Sequence, residues 1–198
     1  MNKIRLNLGC GIHIKKDFVN VDLYEESDLK SKKGIFRSVK WDRGAKYVKA
    51  DIRKMPFKDN YANYVEMFEV LEHLPMRDVV PALVEIRRVM KPGAKFVMTS
   101  PNFDGLMKDW LEVMTGKFDP NIYFQVMETI YGNQQAFEEY HRVALNPQFL
   151  NWCLLTAGFK KGTLTLVPKH KPIPPIGSQK FPKGSVTRNE VLIAEVEK

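Results

Sequence analysis

Residues 4–13, Ile4-Arg5-Leu6-Asn7-Leu8-Gly9-Cys10-Gly11-Ile12-His13, constrain this chain more than any other stretch. Apolar side chains at 4, 6 and 8 alternate with polar ones, and two glycines one residue apart follow at once. The pattern predicts a strand running into a sharp turn. Glycine admits positive φ there, and without a Cβ it lets the backbone come close to a ligand. Alone, Gly-x-Gly fits either a nucleotide-type turn or an ordinary strand end.

The following sequence adds to the first reading. Residues 14–17 begin a short helix or loop, and residues 18–23 (Phe-Val-Asn-Val-Asp-Leu) read as a second strand ending on an acid, Asp22. In doubly wound sheets an acid at this place accepts hydrogen bonds from a ribose diol, although a lone Asp also suits a turn. Residues 24–46 are polar and poorly periodic, which predicts a loop with at most one short helix. A third strand over 47–50 closes on Asp51. Asp51 and Ile52 together could grip an adenine, the carboxylate taking its amine and the apolar side chain its ring face. A fourth strand, 64–70, leads to Leu71-Glu72-His73-Leu74-Pro75.

From 77 to 90, apolar residues recur at helical spacing up to Lys91-Pro92-Gly93, which stops a helix. A fifth strand spans 94–100. Strand and connection thus alternate five times, which argues for a parallel sheet covered by helices, with ligands at the carboxyl ends of its strands. Gly9, Asp22, Asp51 and Glu69 all fall at that edge. Residues 103–142 are aromatic-rich and leave from the same edge, so they form either a lid or a peripheral helical pair. A helix over 147–157 starts from Asn146 as cap with Pro147 first, and Gly158 ends it. Two last strands, 159–167 and 190–196, flank a proline- and lysine-rich loop, 168–188.

At 198 residues this is one domain, 1–198, with no linker or internal repeat. No apolar run approaches the roughly 20 residues of a membrane span, and no signal peptide opens the chain. The expectation is a cytoplasmic protein without a membrane partner. Cys10 and Cys153 lie far apart, and the histidines at 13, 73, 141 and 170 make neither a cysteine cluster nor His-Glu-x-x-His. No metal site can be read from such spacing. Between Tyr140 and Asn189 there is no acid, and the eight basic residues there match the net charge of +8. An anionic partner, or only a solvated basic face, would account for that asymmetry.

Leu6-Asn7-Leu8-Gly9-Cys10-Gly11, Val21-Asp22, Ala50-Asp51, Glu69-Val70-Leu71-Glu72-His73 and Met90-Lys91-Pro92-Gly93 before Ser100-Pro101-Asn102 together resemble the class I S-adenosylmethionine-dependent methyltransferases. The match runs from Ile4 to about Asn102, and Ala157-Gly158-Phe159 with the two strands after it is similar to the family's closing helix and hairpin. The resemblance implies an α/β, Rossmann-like, doubly wound sheet of seven strands, mostly parallel with an antiparallel C-terminal hairpin strand. S-adenosylmethionine is the implied cofactor. Gly9 and Gly11 would admit its amino-acid portion, with Asn7 and Cys10 belonging to the same turn. Asp22 would hold the ribose hydroxyls, Leu23 lie beside the adenine, Asp51 and Ile52 hold the base, and Glu69 lie near the methionine end. Asn7 stands where the family often has an acid, and His13 where a third glycine is frequent. The chain opens at the first strand, so cover for the cofactor would come from residues 103–142.

Methyl transfer from a sulfonium needs alignment, exclusion of water and sometimes a base. His73, beside the end of the fourth strand, and then His141, after the aromatic segment, are the candidate bases; each could instead be a structural histidine. The leading expectation is an enzyme methylating a small metabolite or carbohydrate precursor, anionic if the basic surface serves it. The alternatives are a modifier of nucleic acid or another macromolecule held by the basic loop, and a non-catalytic relative that binds the cofactor or a partner. A nicotinamide site fits poorly, because residues 9–14 lack the last glycine of Gly-x-Gly-x-x-Gly.

Overall fold

A computed structural model describes residues 3–115, 120–160, 162–168 and 190–198. In chain order the elements are β1 (Arg5–Leu8), β2 (His13–Ile14), β3 (Val19–Asp22), α1 (Glu26–Ser31), β4 (Lys40–Trp41), β5 (Lys46–Lys49) and β6 (Ala62–Phe68). Then follow α2 (Met76–Val89), β7 (Met90–Pro101), α3 (Phe103–Thr115), α4 (Pro120–Tyr131), α5 (Pro147–Thr156), β8 (Thr163–Pro168) and β9 (Glu190–Glu197). One sheet holds seven strands in the order β5-β3-β1-β6-β7-β9-β8. Its first five strands pair in parallel, and β9 runs antiparallel to both β7 and β8. This is the expected Rossmann-like sheet with its reversed closing strand.

The central strands are buried, as parallel strands between covering layers must be: Leu6, Leu8, Val65, Met67, Phe96 and Met98 are all fully enclosed. Helix α2 turns Val79, Leu83 and Ile86 into this core and packs against α5. Asn146 caps α5 by accepting the Phe149 N–H at 2.8 Å, with proline in the first turn, as its sequence predicts.

Three local expectations change. Residues 14–17 hold no helix: His13 and Ile14 instead pair in parallel with Lys40 and Trp41 as a second, two-stranded sheet. The segment 24–46 is accordingly more than a loop. Its Leu29 and Val39 bury with Cys10 and Ile14, and Tyr24, Phe36 and Trp41 pack around them. The polar sequence hid this small core because so few of its residues are apolar. Lastly, Lys91-Pro92-Gly93 ends α2 but does not delay the next strand. Met90 already pairs with Ala62, and an irregularity absorbs the intervening residues before Lys95 meets Tyr64. Among the described residues no helix is long and apolar enough to cross a membrane.

Candidate active site

The sheet changes direction between β1, whose other neighbour is β3, and β6, so their carboxyl ends border the crevice in which such sheets bind ligands. Gly9, immediately after β1, has φ +59°. A Cβ on it would also strike the side chain of Val70, beyond the end of β6. Next along the turn, Gly11 faces open space: beyond its own residue and its chain neighbours, nothing stands within 4 Å of where its Cβ would be. Between them Cys10 is buried, and burial with the Asp22 carboxylate beside it pushes its thiol pKa far up. The thiol is thus kept neutral.

Asp22 is bound to this turn. One carboxylate oxygen accepts the Gly11 N–H at 2.7 Å and the other accepts the Leu23 N–H at 2.7 Å. Burial raises its pKa, and the backbone donors of Gly11, Leu23 and Tyr24 oppose that rise. The Cys10 thiol adds a further contact, so the carboxylate is the hydrogen-bonding centre of the turn. Leu23 beside it leaves 47% of its surface open, an apolar wall available to a ring. Asn7 stands differently. It is buried, and its amide donates to the His13 carbonyl at 3.0 Å and to Asn20 Oδ1 at 2.9 Å. A side-chain amide so engaged holds the turn together, which explains why the position tolerates Asn in place of an acid.

The Ala50 N–H donates to the Asp22 carbonyl at 2.8 Å, bringing Asp51 to the same edge. Its carboxylate is gripped by Arg53, whose Nε lies 3.0 Å from both oxygens, and this contact lowers its pKa. Arg53 also reaches Asp78 at 2.5 Å. The Ile52 side chain, expected against an adenine face, instead belongs to the main core at 6% exposure. An apolar side chain gains more from the core than from an open edge.

Glu69 follows β6 in the left-handed conformation, φ +53°, and its N–H donates to Thr99 at 3.1 Å. The same corner carries Glu72 and His73. His141 arrives there from the far side of the helical insertion, its ring centre 4.8 Å from that of His73 in an edge-on arrangement. Backbone contacts hold it: the Arg142 N–H donates to the Glu72 carbonyl at 2.7 Å and the His141 N–H to the Tyr131 carbonyl at 3.0 Å. Gly132, φ +79°, makes the approach feasible, since a Cβ on it would lie 1.9 Å from the Glu139 carbonyl oxygen. Burial lowers the pKa of His73, the Tyr140 carbonyl opposes this, and Arg142 adds to the lowering.

Beside this corner is a cavity of about 210 Å³, lined by Glu72, Phe103, Leu106, Thr129, Tyr131 and His141 among others. Helices α3 and α4 thus supply one of its walls and pack against each other. Sequence reasoning singled out both histidines but not Glu72 as their companion. Its place next to His73 in Glu-Val-Leu-Glu-His was the available signal. The basic residues from Lys169 to Arg188 lie outside the described residues.

Residues 6–98 match a family model described as a methyltransferase domain. An uncharacterized protein of Methanocaldococcus jannaschii is 31% identical over 114 residues, 52% of this chain and 43% of that protein. The chain therefore spans less than half the length of this curated relative. Among solved structures, the methyltransferase bound to the Trm112 activator of Haloferax volcanii superposes with TM-score 0.63 at 13% identity, over 99% of this chain and 82% of that one. A phosphoethanolamine N-methyltransferase of Haemonchus contortus, solved with phosphomonomethylethanolamine and S-adenosylhomocysteine, gives 0.57 at 14% identity, over 100% of this chain and 49% of that one. These likenesses carry the fold, and the matched residues 6–98 include the turn, Asp22, Asp51 and the corner at Glu69. Residues 6–98 thus match a methyltransferase domain, and the strand order is the fold of the solved methyltransferases that the chain resembles.

Proposed function

We propose that the protein transfers a methyl group from S-adenosylmethionine to a small, anionic metabolite or carbohydrate precursor. The observation that carries this reading is the Asp22 carboxylate, tied by both oxygens to the backbone at the open glycine turn. The group that would sit there fits what is present: unfilled space at Gly11, a carboxylate for two hydroxyls, and the open face of Leu23 for a base. Gly9, Cys10 and Gly11 would meet its amino-acid portion through the backbone, Asp51 and the Ile52 backbone its base, and Glu69 its methionine end. When bound, S-adenosylmethionine supplies an electrophilic methyl group. The chain's part is to orient the acceptor, exclude water and receive or share its proton.

At the acceptor end we place His73 and His141, beside the cavity of about 210 Å³. Arg142 borders the same cavity and favours negative charge on the acceptor. Residues 103–142 act in this reading as the substrate wall, and a soluble, cytoplasmic setting would supply both reactants. A macromolecular acceptor would draw on the basic stretch after Tyr140, and its binding would fall steeply with salt.

Calorimetry with S-adenosylmethionine and S-adenosylhomocysteine tests the core of the proposal. One site of micromolar affinity, lost in Asp22→Ala, is expected. No heat with either compound from folded protein would remove it. A panel of small acceptors, scored by S-adenosylhomocysteine release, then tests the acceptor class.

A further inference from the structure

We propose that Glu72, His73 and His141 bind a divalent transition-metal cation of the zinc type. The cation keeps a coordination position open to the cavity, and there it takes an oxygen or nitrogen atom of the methyl acceptor. The second statement rests on the methyl-transfer reading above; cation binding itself does not.

The three side chains offer donor atoms that all lie within 4.8 Å of one another. Two imidazoles and a carboxylate make the mixed nitrogen and oxygen set of zinc sites that retain a place for water or substrate. In such a shell the donors stand about 3.4 Å apart, so the side chains need to draw in by roughly an ångström at the widest pair. Side-chain rotation covers that distance, because the backbone beneath is already fixed. Arg142 and Val143 both donate to the Glu72 carbonyl, at 2.7 and 3.3 Å, and His141 is tied to Tyr131.

The His141 ring is oriented as metal ligands usually are. His141 Nδ1 lies 2.8 Å from the Thr129 carbonyl oxygen, and His73 Nδ1 lies 3.3 Å from that of Tyr140. A carbonyl can only accept, so on His141 the proton belongs on Nδ1 and the lone pair on Nε2, while the His73 ring also meets the Glu69 carbonyl, a contact it would exchange for the cation. Such an outer contact as that of His141 is the one that sets the tautomer of metal-binding histidines. The positive charge of Arg142 bears on this corner and lowers the His73 pKa, but its guanidinium is also held by Phe137. Arg142 donates to the Phe137 carbonyl at 2.8 Å and lies 4.3 Å above the Phe137 ring. Glu72, at 2% exposure, supplies the one negative charge of the set.

The position gives the cation a use. Glu72 and His141 line the cavity, and Glu72 and His73 lie in the same short stretch as Glu69 and Val70, the latter in contact with the glycine turn. A cation there would bind the acceptor's lone-pair atom and hold it facing the methyl donor, a positioning task that no neutral side chain performs as tightly.

Chelator-treated protein titrated with cobalt(II), followed by visible absorption, tests the site, and zinc then displaces the cobalt. One equivalent per chain, with the intense bands of a four- or five-coordinate ion, is expected. Glu72→Gln and His141→Ala should each weaken binding at least tenfold, while His13→Gln leaves it unchanged. Circular dichroism checks that each variant folds, and His141→Ala serves if Glu72→Gln does not. Absence of cobalt bands from the folded wild type overturns the proposal, as does one-equivalent binding that survives both His73→Ala and His141→Ala. S-adenosylhomocysteine binding is measured on the same samples. Cofactor binding without cobalt binding defeats this inference alone, and cobalt binding without cofactor binding defeats the methyl-transfer reading alone.

Discussion

Gly9 and Val70 meet where β1 and the chain beyond β6 come together: a Cβ on Gly9 would lie 2.3 Å from Val70 Cγ2 and 2.9 Å from Cγ1. The glycine is needed twice over, for its φ of +59° and for this contact. The glycine turn after β1 is thereby keyed to the corner carrying Glu69, Glu72 and His73.

Gly9→Ala should therefore destabilise the fold by about 2 to 4 kcal/mol, the left-handed backbone and the overpacking each adding a share. Adding Val70→Ala relieves only the second share, so a double-mutant cycle in urea unfolding should show coupling of about 1 kcal/mol or more. A Gly9→Ala protein as stable as wild type would show that the turn can rearrange.

Asn146 accepts the Phe149 N–H and its amide donates to Asp104 at 3.1 Å, joining the start of α5 to the start of α3. Asn146→Ala should cost about 1 to 2 kcal/mol through the lost cap. Asn146→Ser restores the cap without the reach to Asp104 and should recover most of it. Thermal unfolding of both variants gives the comparison.

Glu85 accepts the Met55 N–H at 2.7 Å and two guanidinium donors of Arg88, at 2.6 and 2.8 Å, and Arg88 lowers its pKa. A carboxyl group whose folded pKa is depressed stabilises the fold above its unfolded value and loses that contribution as pH falls through the folded one. Glu85→Gln should be less stable by about 2 kcal/mol at pH 7. The gap is full above about pH 5 and closes on acidification. Denaturant midpoints measured across pH would expose a constant gap, which would contradict the assignment.

The parallel sheet was legible because its strands alternate or run apolar and end on glycine or acid. So was the cap at Asn146, a purely local signal. Side-chain direction was less so. Ile52 follows Asp51 at the right place for a ring contact, yet its burial in the core is decided by residues distant in sequence. The bonds of Asn7 to His13 and Asn20 also depend on how the turn folds back, which no local pattern encodes. The pairing of His73 with His141 depends on how helices α3 and α4 return the chain to Glu72, and no periodicity encodes that path. The small sheet of β2 and β4 likewise joins strands too short to carry a pattern.

Asp22 gives the sharpest solution test of the cofactor site. Burial raises its pKa, so the folded protein takes up a proton at a higher pH than the unfolded chain does. The sign is opposite to that of Glu85: ionised Asp22 costs stability at neutral pH, and the cost shrinks once pH falls below the raised value and is gone below the unfolded one. Ligand binding responds in the other direction, because a protonated carboxyl offers fewer acceptors to ribose hydroxyls. Affinity for S-adenosylhomocysteine should weaken as the pH drops toward the raised pKa, above the range in which an ordinary aspartate titrates. Asp22→Asn should bind about tenfold or more weakly at pH 7, from the loss of charge-assisted hydrogen bonds, and with little pH dependence left. Calorimetric titrations of wild type and variant at matched pH values measure this. Parallel pH profiles for the two proteins would mean that Asp22 does not contact the ligand.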